Sequence, residues 1–158
     1  LARLAEDMTA TMHASEGVGL AANQVGILRR LFTFDVPEHD DRPGLAGAVA
    51  NPVLREASEE RQDGEEGCLS FPGLFYPVAR PLEVHVAYQD LDGADREIQL
   101  EGFLARVWLH EMDHLDGVLF VDHLARHDRR EALRLMRERD LDPSEVPGLP
   151  DALGAPGR

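Results

Sequence analysis

The pentapeptide His110-Glu111-Met112-Asp113-His114 is embedded among Val107, Trp108, Leu109 and Leu115, and this combination constrains the fold more than any other feature of the chain. Large apolar side chains on several sides of a segment mean that much of it is buried, so the polar groups between them need partners. Gly102 to Leu115 reads as a buried helix. Four residues advance a helix by about 400°, so His110 and His114 stand nearly above one another on one face. Two imidazoles so placed suit a single metal ion, with Glu111 beside them as a carboxylate for proton transfer. The competing reading, an exposed helix with two surface histidines, leaves Trp108 and its neighbours unexplained. A catalytic ion of this kind takes three protein ligands and keeps one position open. The third ligand comes from Cys68, another histidine or a carboxylate.

Around that helix the pattern is mixed. Leu1 to Ser15 carries apolar residues at three- and four-residue spacing (Leu1, Leu4, Ala5, Met8, Met12) and reads as a helix stopped at Glu16-Gly17. A Gly-rich loop to Gly26 precedes a short strand, Leu31 to Val36. Pro37 to Gly47 reads as a polar loop, and Ala48 to Leu54 as a strand broken at Asn51-Pro52. The charged stretch Arg55 to Glu66 reads as an exposed loop or hairpin tip. Leu82 to Gln89 alternates, with Leu82, Val84, Val86 and Tyr88 on one face, and a turn at Asp90–Gly93 leads to a returning strand at Arg96–Leu100. Asp122 to Asp140 reads as a second, amphipathic helix with Leu124, Ala132, Leu133 and Met136 as its apolar stripe. The expected fold class is therefore α+β: antiparallel strands around a central buried helix, plus a C-terminal amphipathic helix. One domain over residues 1–140 and a Pro-rich, poorly ordered tail over 141–158 are expected.

Composition excludes several function classes. The formal net charge is −14, and all sixteen basic residues are arginine. Such a surface repels nucleic acids and anionic membranes, so no DNA and no membrane partner is expected, although a local basic patch remains open. The single cysteine, Cys68, rules out an intramolecular disulfide framework and agrees with a reduced, cytoplasmic compartment. Apolar runs such as Val118–Val121 fall far short of a membrane span. The chain begins at Leu rather than Met, so a trimmed or missing N-terminus is expected.

Two further motifs carry chemistry. Gly17-Val18-Gly19-Leu20-Ala21-Ala22 matches a dinucleotide fingerprint in letters, but the strand before it and the helix after it are absent. Its glycines instead suit a loop that an extended substrate approaches closely, with Gln24 as a side-chain donor. Cys68 lies in Glu65-Glu66-Gly67-Cys68-Leu69-Ser70; its alternative is a small buried hydrophobe. No nucleophile-elbow pattern surrounds Ser15, Ser58, Ser70 or Ser144.

Taken together, Gly17–Gln24, Glu66-Gly67-Cys68-Leu69-Ser70 and His110–His114 occur in the order found in the peptide deformylases, and the chain resembles that family from Leu1 to about Arg139. The resemblance implies an α+β fold and one divalent metal held by Cys68, His110 and His114. That metal is physiologically Fe²⁺, with Zn²⁺, Ni²⁺ or Co²⁺ as substitutes. It further implies Glu111 as general acid/base, with Gln24 and the backbone N–H of Leu69 binding the oxyanion. The implied reaction removes the formyl group from N-terminal formyl-methionine of nascent chains and releases formate. Leu109, where many members have Gln, and Phe75, where many have a basic or polar residue, depart from the pattern.

Within that frame, the methionine side chain is expected to enter a pocket lined by Val18, Phe103 and Val107, with Gly19 letting the substrate backbone pair alongside. Asp113 points about 100° away from His114 and is expected to pair with Arg80 instead of binding metal. Arg126, Arg129, Arg130, Arg134, Arg137 and Arg139 make the 122–140 helix a candidate ribosome contact. The alternative there is a solvated face of Arg–Glu pairs, such as Arg134 with Glu138. The competing functions are a metallopeptidase on the same histidine face and a catalytically silent relative that binds metal, peptide or a partner.

Overall fold

Trp108 organises the packing. It lies on helix α2 (Gly102–Leu115), and its indole meets Phe32, Phe34 and Tyr88 edge-on at centroid distances of 5.3, 5.1 and 5.4 Å. Those rings belong to an antiparallel sheet, so the helix is clamped face-down on strands by contacts that favour T-shaped geometry. The computed structural model describes residues 1–38 and 44–138. The tail expected over 141–158 lies outside the described residues.

In chain order the elements are α1 (Ala2–Ala14), β1 (Gly19–Ala21), a 3₁₀ turn (Ala22–Val25), β2 (Leu31–Val36), β3 (Leu45–Ala57), β4 (Arg61–Gln62) and β5 (Glu65–Cys68). There follow β6 (Phe71–Pro77), β7 (Arg80–Pro81), β8 (Glu83–Gln89), β9 (Asp95–Glu101), α2, a second 3₁₀ turn (Phe120–His123) and α3 (Arg126–Glu138). The main sheet runs β1-β2-β3-β8-β9, while β4 pairs with β7 and β5 with β6. Every pairing is antiparallel. This is the expected α+β arrangement, with the His110–His114 helix buried at its centre.

Strand β2 is covered on both faces, which explains its nearly continuous apolar run. Phe32, Phe34 and Val36 join Val84, Val86, Leu100 and Trp108 in one cluster, while Leu31 joins Met8 and Met12 of α1 in another. A third cluster, Phe71, Leu74, Val78, Phe120, Val121 and Ala132, packs the β6 segment against the second 3₁₀ turn and α3.

Helices α1 and α2 both end in Schellman motifs, but with different residues at the left-handed position. After α2, Gly117 (φ 75) lets its own N–H reach His114 O at 3.0 Å and the Val118 N–H reach Asp113 O at 2.8 Å. After α1 it is Glu16 (φ 55), not Gly17, that adopts the left-handed conformation, with Glu16 N–H to His13 O at 3.0 Å and Gly17 N–H to Met12 O at 2.9 Å.

Several expectations need correction. Arg55–Glu66 is not an exposed loop: β3 continues to Ala57, β4 and β5 follow, and Glu66 is buried. The Gly-rich stretch contains β1 and a 3₁₀ turn instead of loop alone. The loop expected over Pro37–Gly47 ends early, because β3 starts at Leu45. Asn51-Pro52 does not terminate that strand; the register shifts between Ala50 and Val53, and Asn51 absorbs the bulge at φ 49. The C-terminal helix starts at Arg126, since Asp122 belongs to a 3₁₀ turn and accepts the Leu119 N–H at 3.0 Å. Arg139 and Asp140 lie outside the described residues.

Candidate metal centre and active site

The site forms where α2 crosses the β5–β6 ribbon. Glu66 faces Tyr76 and Gly67 faces Phe75 across the ribbon, then the register slips so that Cys68 pairs with Phe71. An irregularity of this kind re-aims the side chain that follows it. The Cys68 thiol meets His114 Nε2 at 3.2 Å, and His114 Nε2 lies 3.2 Å from His110 Nε2. All three donor atoms fall within 4.8 Å of one another. Tetrahedral bonds of ~2.05 Å to nitrogen and ~2.3 Å to sulfur put donor atoms roughly 3.3–3.6 Å apart. The residues present therefore fit one ion.

Glu66 sets the orientation of His110. Its Oε2 accepts from His110 Nδ1 at 3.1 Å, which directs the other ring nitrogen toward Cys68 and His114. Arg80 grips the same carboxylate side-on, with Nε to Oε1 at 2.8 Å and Nη2 to Oε2 at 2.9 Å. Arg106 adds Nη1 to Oε1 at 2.8 Å and bonds to the carbonyls of Val78 and Gln62. Burial alone would raise the Glu66 pKa, but Arg80 and His110 outweigh it and hold the carboxyl at about 2. Arg80 also donates from Nη1 to Asp113 Oδ2 at 2.7 Å, so the expected Asp113–Arg80 pair is present. His123 lies 2.7 Å from the same oxygen.

Burial also opposes ionisation of Cys68, yet hydrogen bonds from His110 and His114 bring the thiol down to about 6. Glu111 is buried, and that burial dominates, pushing its carboxyl up to about 7 against the pull of both imidazoles. Its Oε2 has no hydrogen-bond partner among the described residues. Gly19 makes room for this carboxylate: a Cβ there would lie 2.3 Å from Glu111 Oε1. Gln24 is oriented by its own oxygen, which accepts the Ala21 N–H at 2.8 Å. Its Nε2 then points to Cys68 Sγ at 3.6 Å and Ser70 Oγ at 3.1 Å.

A cavity of about 550 Å³ opens over these groups and is lined by Val18, Gly19, Gln24, Cys68, Leu69, Phe103, Val107, His110 and Glu111 among others. Of the metal, catalytic and substrate-pocket residues expected from the sequence, all line this cavity except His114, whose Nε2 lies 3.2 Å from the Cys68 thiol. Sequence reasoning gave no role to Glu66, Arg106 or Asn23, whose Nδ2 donates to His114 O at the C-terminal end of α2. Arg106 did carry a signal, being a charged residue one helical turn before His110 on the buried side of α2.

A family profile for polypeptide deformylase matches residues 1–130. The chain belongs to the peptide deformylase family. It is 50% identical over 133 residues to the peptide deformylase of Caldanaerobacter subterraneus, covering 84% of this chain and 79% of that one. It is 46% identical over 140 residues to peptide deformylase 1 of Corynebacterium efficiens, covering 89% and 82%. Among solved structures, the peptide deformylase of Ehrlichia chaffeensis in complex with actinonin aligns with a TM-score of 0.82 at 37% identity, covering 88% of this chain and 83% of that one. The Thermus thermophilus peptide deformylase aligns at 0.75 with 46% identity, covering 85% and 78%. This family is one of metal-dependent hydrolases, and Cys68, His110 and His114 form a group that could hold a metal ion. No helix among the described residues is long and apolar enough to cross a membrane.

Proposed function

We propose that this deformylase removes the formyl group from formyl-methionine at the N-terminus of nascent polypeptides, with Cys68, His110 and His114 holding the metal. The observation that carries the reading is the convergence of those three donor atoms beside a buried Glu111 whose Oε2 has no partner. The His₂Cys set accepts Fe²⁺, Zn²⁺, Ni²⁺ or Co²⁺, and the family resemblance implies Fe²⁺ as the physiological ion. A divalent ion held there polarises a carbonyl and acidifies water.

The chain's own residues do the rest. Strand β1 is hydrogen-bonded to β2 alone within the sheet, and Gly19 lines the cavity, so an extended substrate can pair along that edge. The methionine side chain enters between Val18, Phe103 and Val107, which are apolar and border the cavity. As a water oxygen bonds to the formyl carbon, Glu111 accepts the proton. The developing oxyanion is met by Gln24 Nε2 and the Leu69 N–H, donors of the kind that favour a transition state over its ground state. Glu111 then delivers the proton to the leaving nitrogen, the C–N bond breaks, and the products are formate and a free amine. A carboxyl pushed up to about 7 is suited to both halves of that transfer at neutral pH. Nascent formylated chains as substrate imply action in the cytoplasm, within reach of the ribosome.

Formate release tests the proposal: protein loaded with Fe²⁺, Ni²⁺ or Zn²⁺ is given formyl-Met, acetyl-Met and unblocked Met peptides. Formate is expected from the first alone. Cleavage of internal peptide bonds would favour the metallopeptidase reading, and silence with every metal would favour a binding role.

A further inference from the structure

We propose that Asn23 is a positioning residue: one hydrogen bond from its side chain to the backbone of His114 locks the Gln24 amide to the helix that carries two of the three proposed metal donors. The inference rests on the deformylase reading, in which Gln24 meets the oxyanion, and adds the residue that fixes where Gln24 stands.

Ala22–Val25 is a single 3₁₀ turn, and at about three residues per turn its successive side chains leave in three directions. Ala22 is buried in the cluster that contains Met8 and Met12 of α1. Asn23 reaches α2 instead, where its Nδ2 donates to His114 O. Gln24 lines the cavity. His114 turns its ring toward Cys68 and His110, 3.2 Å from each, while its carbonyl accepts from Asn23. One residue thus supplies a metal donor and an anchor point, and the oxyanion donor is the chain neighbour of the side chain anchored there.

The turn has few other ties to α2. Its own hydrogen bonds, Gly26 N–H to Asn23 O at 3.2 Å and Ile27 N–H to Ala22 O at 3.0 Å, set its shape but not its place against the helix. Arg30 also binds the end of α2, at Leu115 O (3.3 Å) and the Asp116 carboxylate, but it is exposed and six residues beyond Gln24 by sequence number. Gln24 Nε2 must leave Cys68 Sγ and Ser70 Oγ when it turns to a substrate oxygen. Its remaining bond, from the Ala21 N–H to Oε1, lies within the same segment. Asn23 is then the adjacent tie between Gln24 and the donor set.

The other half of the Asn23 amide separates this role from a purely structural one. Presenting Nδ2 to a carbonyl leaves Oδ1 buried, with no hydrogen-bond partner among the described residues. His114 O already accepts the Gly117 N–H at 3.0 Å, so the helix end is capped without Asn23. Leucine has a similar branched shape and would leave no orphaned acceptor. A redundant cap joined to a buried unpartnered oxygen is a poor arrangement for stability alone, whereas a fixed Gln24 gives it a purpose.

The test compares Asn23→Leu, Gln24→Ala and the double variant with wild type, all loaded with Ni²⁺ and given a formyl-Met peptide. Asn23→Leu should keep its metal by elemental analysis and keep or raise Tm. Its kcat should fall on the order of tenfold with KM little changed, a fraction of the about 10²–10³ lost with a whole oxyanion donor. In the Gln24→Ala background the same substitution should change kcat by less than about twofold, because Asn23 acts through Gln24. Asn23→Ala is the second variant: a lower Tm from the space it opens leaves the two-background comparison valid. Without turnover, ¹⁵N NMR of metal-free protein reads the Gln24 side-chain amide, identified by its absence from Gln24→Ala. Those resonances should move toward the position of a free glutamine in Asn23→Leu. A lower Tm with wild-type kcat in Asn23→Leu would make Asn23 merely structural and overturn the inference. Equal losses of kcat in both backgrounds, or unmoved Gln24 resonances, would also overturn it and leave the deformylase reading intact. Absence of formate from the wild type would overturn that reading, and the Gln24 resonances would then decide the anchoring by themselves.

Discussion

Replacing Glu66 by Gln keeps the shape of the side chain and removes its charge. In the folded protein the Glu66 carboxylate receives Arg80 Nε and Nη2, Arg106 Nη1 and His110 Nδ1, at 2.8, 2.9, 2.8 and 3.1 Å. A glutamine amide offers one oxygen to these donors and turns its own N–H₂ toward the rest, leaving the buried Arg106 without a carboxylate partner and Arg80 with Asp113 alone. The fall of the carboxyl pKa from an ordinary 4.5 to about 2 corresponds to about 3 kcal/mol at ~1.4 kcal/mol per pH unit. Breaking a buried pair by removing one partner costs about 3–5 kcal/mol, so the two routes agree. Because the folded-state value is the lower one, the stabilisation is complete above the unfolded value of 4.5 and is lost as pH falls through the folded value near 2. Urea unfolding of metal-free wild type and Glu66→Gln, followed from neutral to acid pH, should show a gap of about 3–5 kcal/mol at neutrality that closes as Glu66 is protonated. Metal affinity should fall about 10- to 100-fold, since His110 loses the group that orients it. A gap below about 1 kcal/mol at neutral pH, or one that does not change with pH, would refute the electrostatic account of this cluster.

Four further outcomes are expected. Glu111→Gln should keep its metal by elemental analysis while kcat falls by about 10²–10⁴, and loss of metal would make Glu111 a ligand. Gly19→Ala forces a methyl group to within 2.3 Å of Glu111 Oε1 as built, so kcat/KM should drop roughly 100-fold with circular dichroism unchanged; normal turnover would mean that the carboxylate need not hold its position. Glu16→Gly relieves a non-glycine residue at φ 55 and should raise Tm by about 2–4 °C, for about 1 kcal/mol of relief; a lower Tm would show that Glu16 contributes a contact. On α3, Arg129 pairs with Asp122 and Arg134 with Glu138, while Arg126, Arg130 and Arg137 have no ion-pair partner among the described residues. Neutralising those three, or adding salt, should weaken co-sedimentation with ribosomes, and unchanged sedimentation would remove α3 from any such contact.

Residues 102–115 and 31–36 were legible in the sequence because burial imprints itself on a local pattern. Trp108 and its neighbours exclude a solvated helix, and in Leu31–Val36 the alternate residues Phe32, Phe34 and Val36 pack in the cluster with α2 while Leu31 packs against α1. Glu66 was not legible, since a glutamate in a run of charges carries no mark of burial until Arg80 and Arg106 arrive from elsewhere in the chain. The short strands β4 to β7 escaped for a related reason: two to seven residues with Gly and Pro among them hold their shape through partners remote in sequence. The start of α3 was misread because Asp122 continues the charge pattern of the helix while its side chain caps the preceding turn. At the site, residue identity was readable and mutual support was not.

That support bears on which carboxylate can move a proton. Three acidic side chains, Glu66, Glu111 and Asp113, surround the Cys68–His110–His114 donors, and nothing in their charge distinguishes them. Their hydrogen bonds do. Both oxygens of Glu66 are engaged by two arginines and a histidine, and it is held well below the usual carboxylate range. Asp113 Oδ2 is engaged by Arg80 and His123. A carboxylate so occupied is a poor metal ligand and a poor base, because taking either an ion or a proton would cost it charge-assisted bonds. Glu111 is the opposite case: buried, raised to about 7 and with Oε2 unpartnered, it gives up little on gaining a proton. The two arginines therefore do more than balance charge. In the proposed mechanism, their hold on both oxygens of Glu66, with Arg80 also on Asp113 Oδ2, leaves the metal to Cys68, His110 and His114 and proton transfer to Glu111. Lysine, with a single ammonium, could not reproduce the side-on grip that Arg80 exerts on Glu66 while also reaching Asp113. Arg80→Lys should accordingly weaken metal retention and broaden the pH dependence of turnover even with the fold intact. A lysine variant with the metal affinity and pH profile of the wild type would show that bare charge suffices.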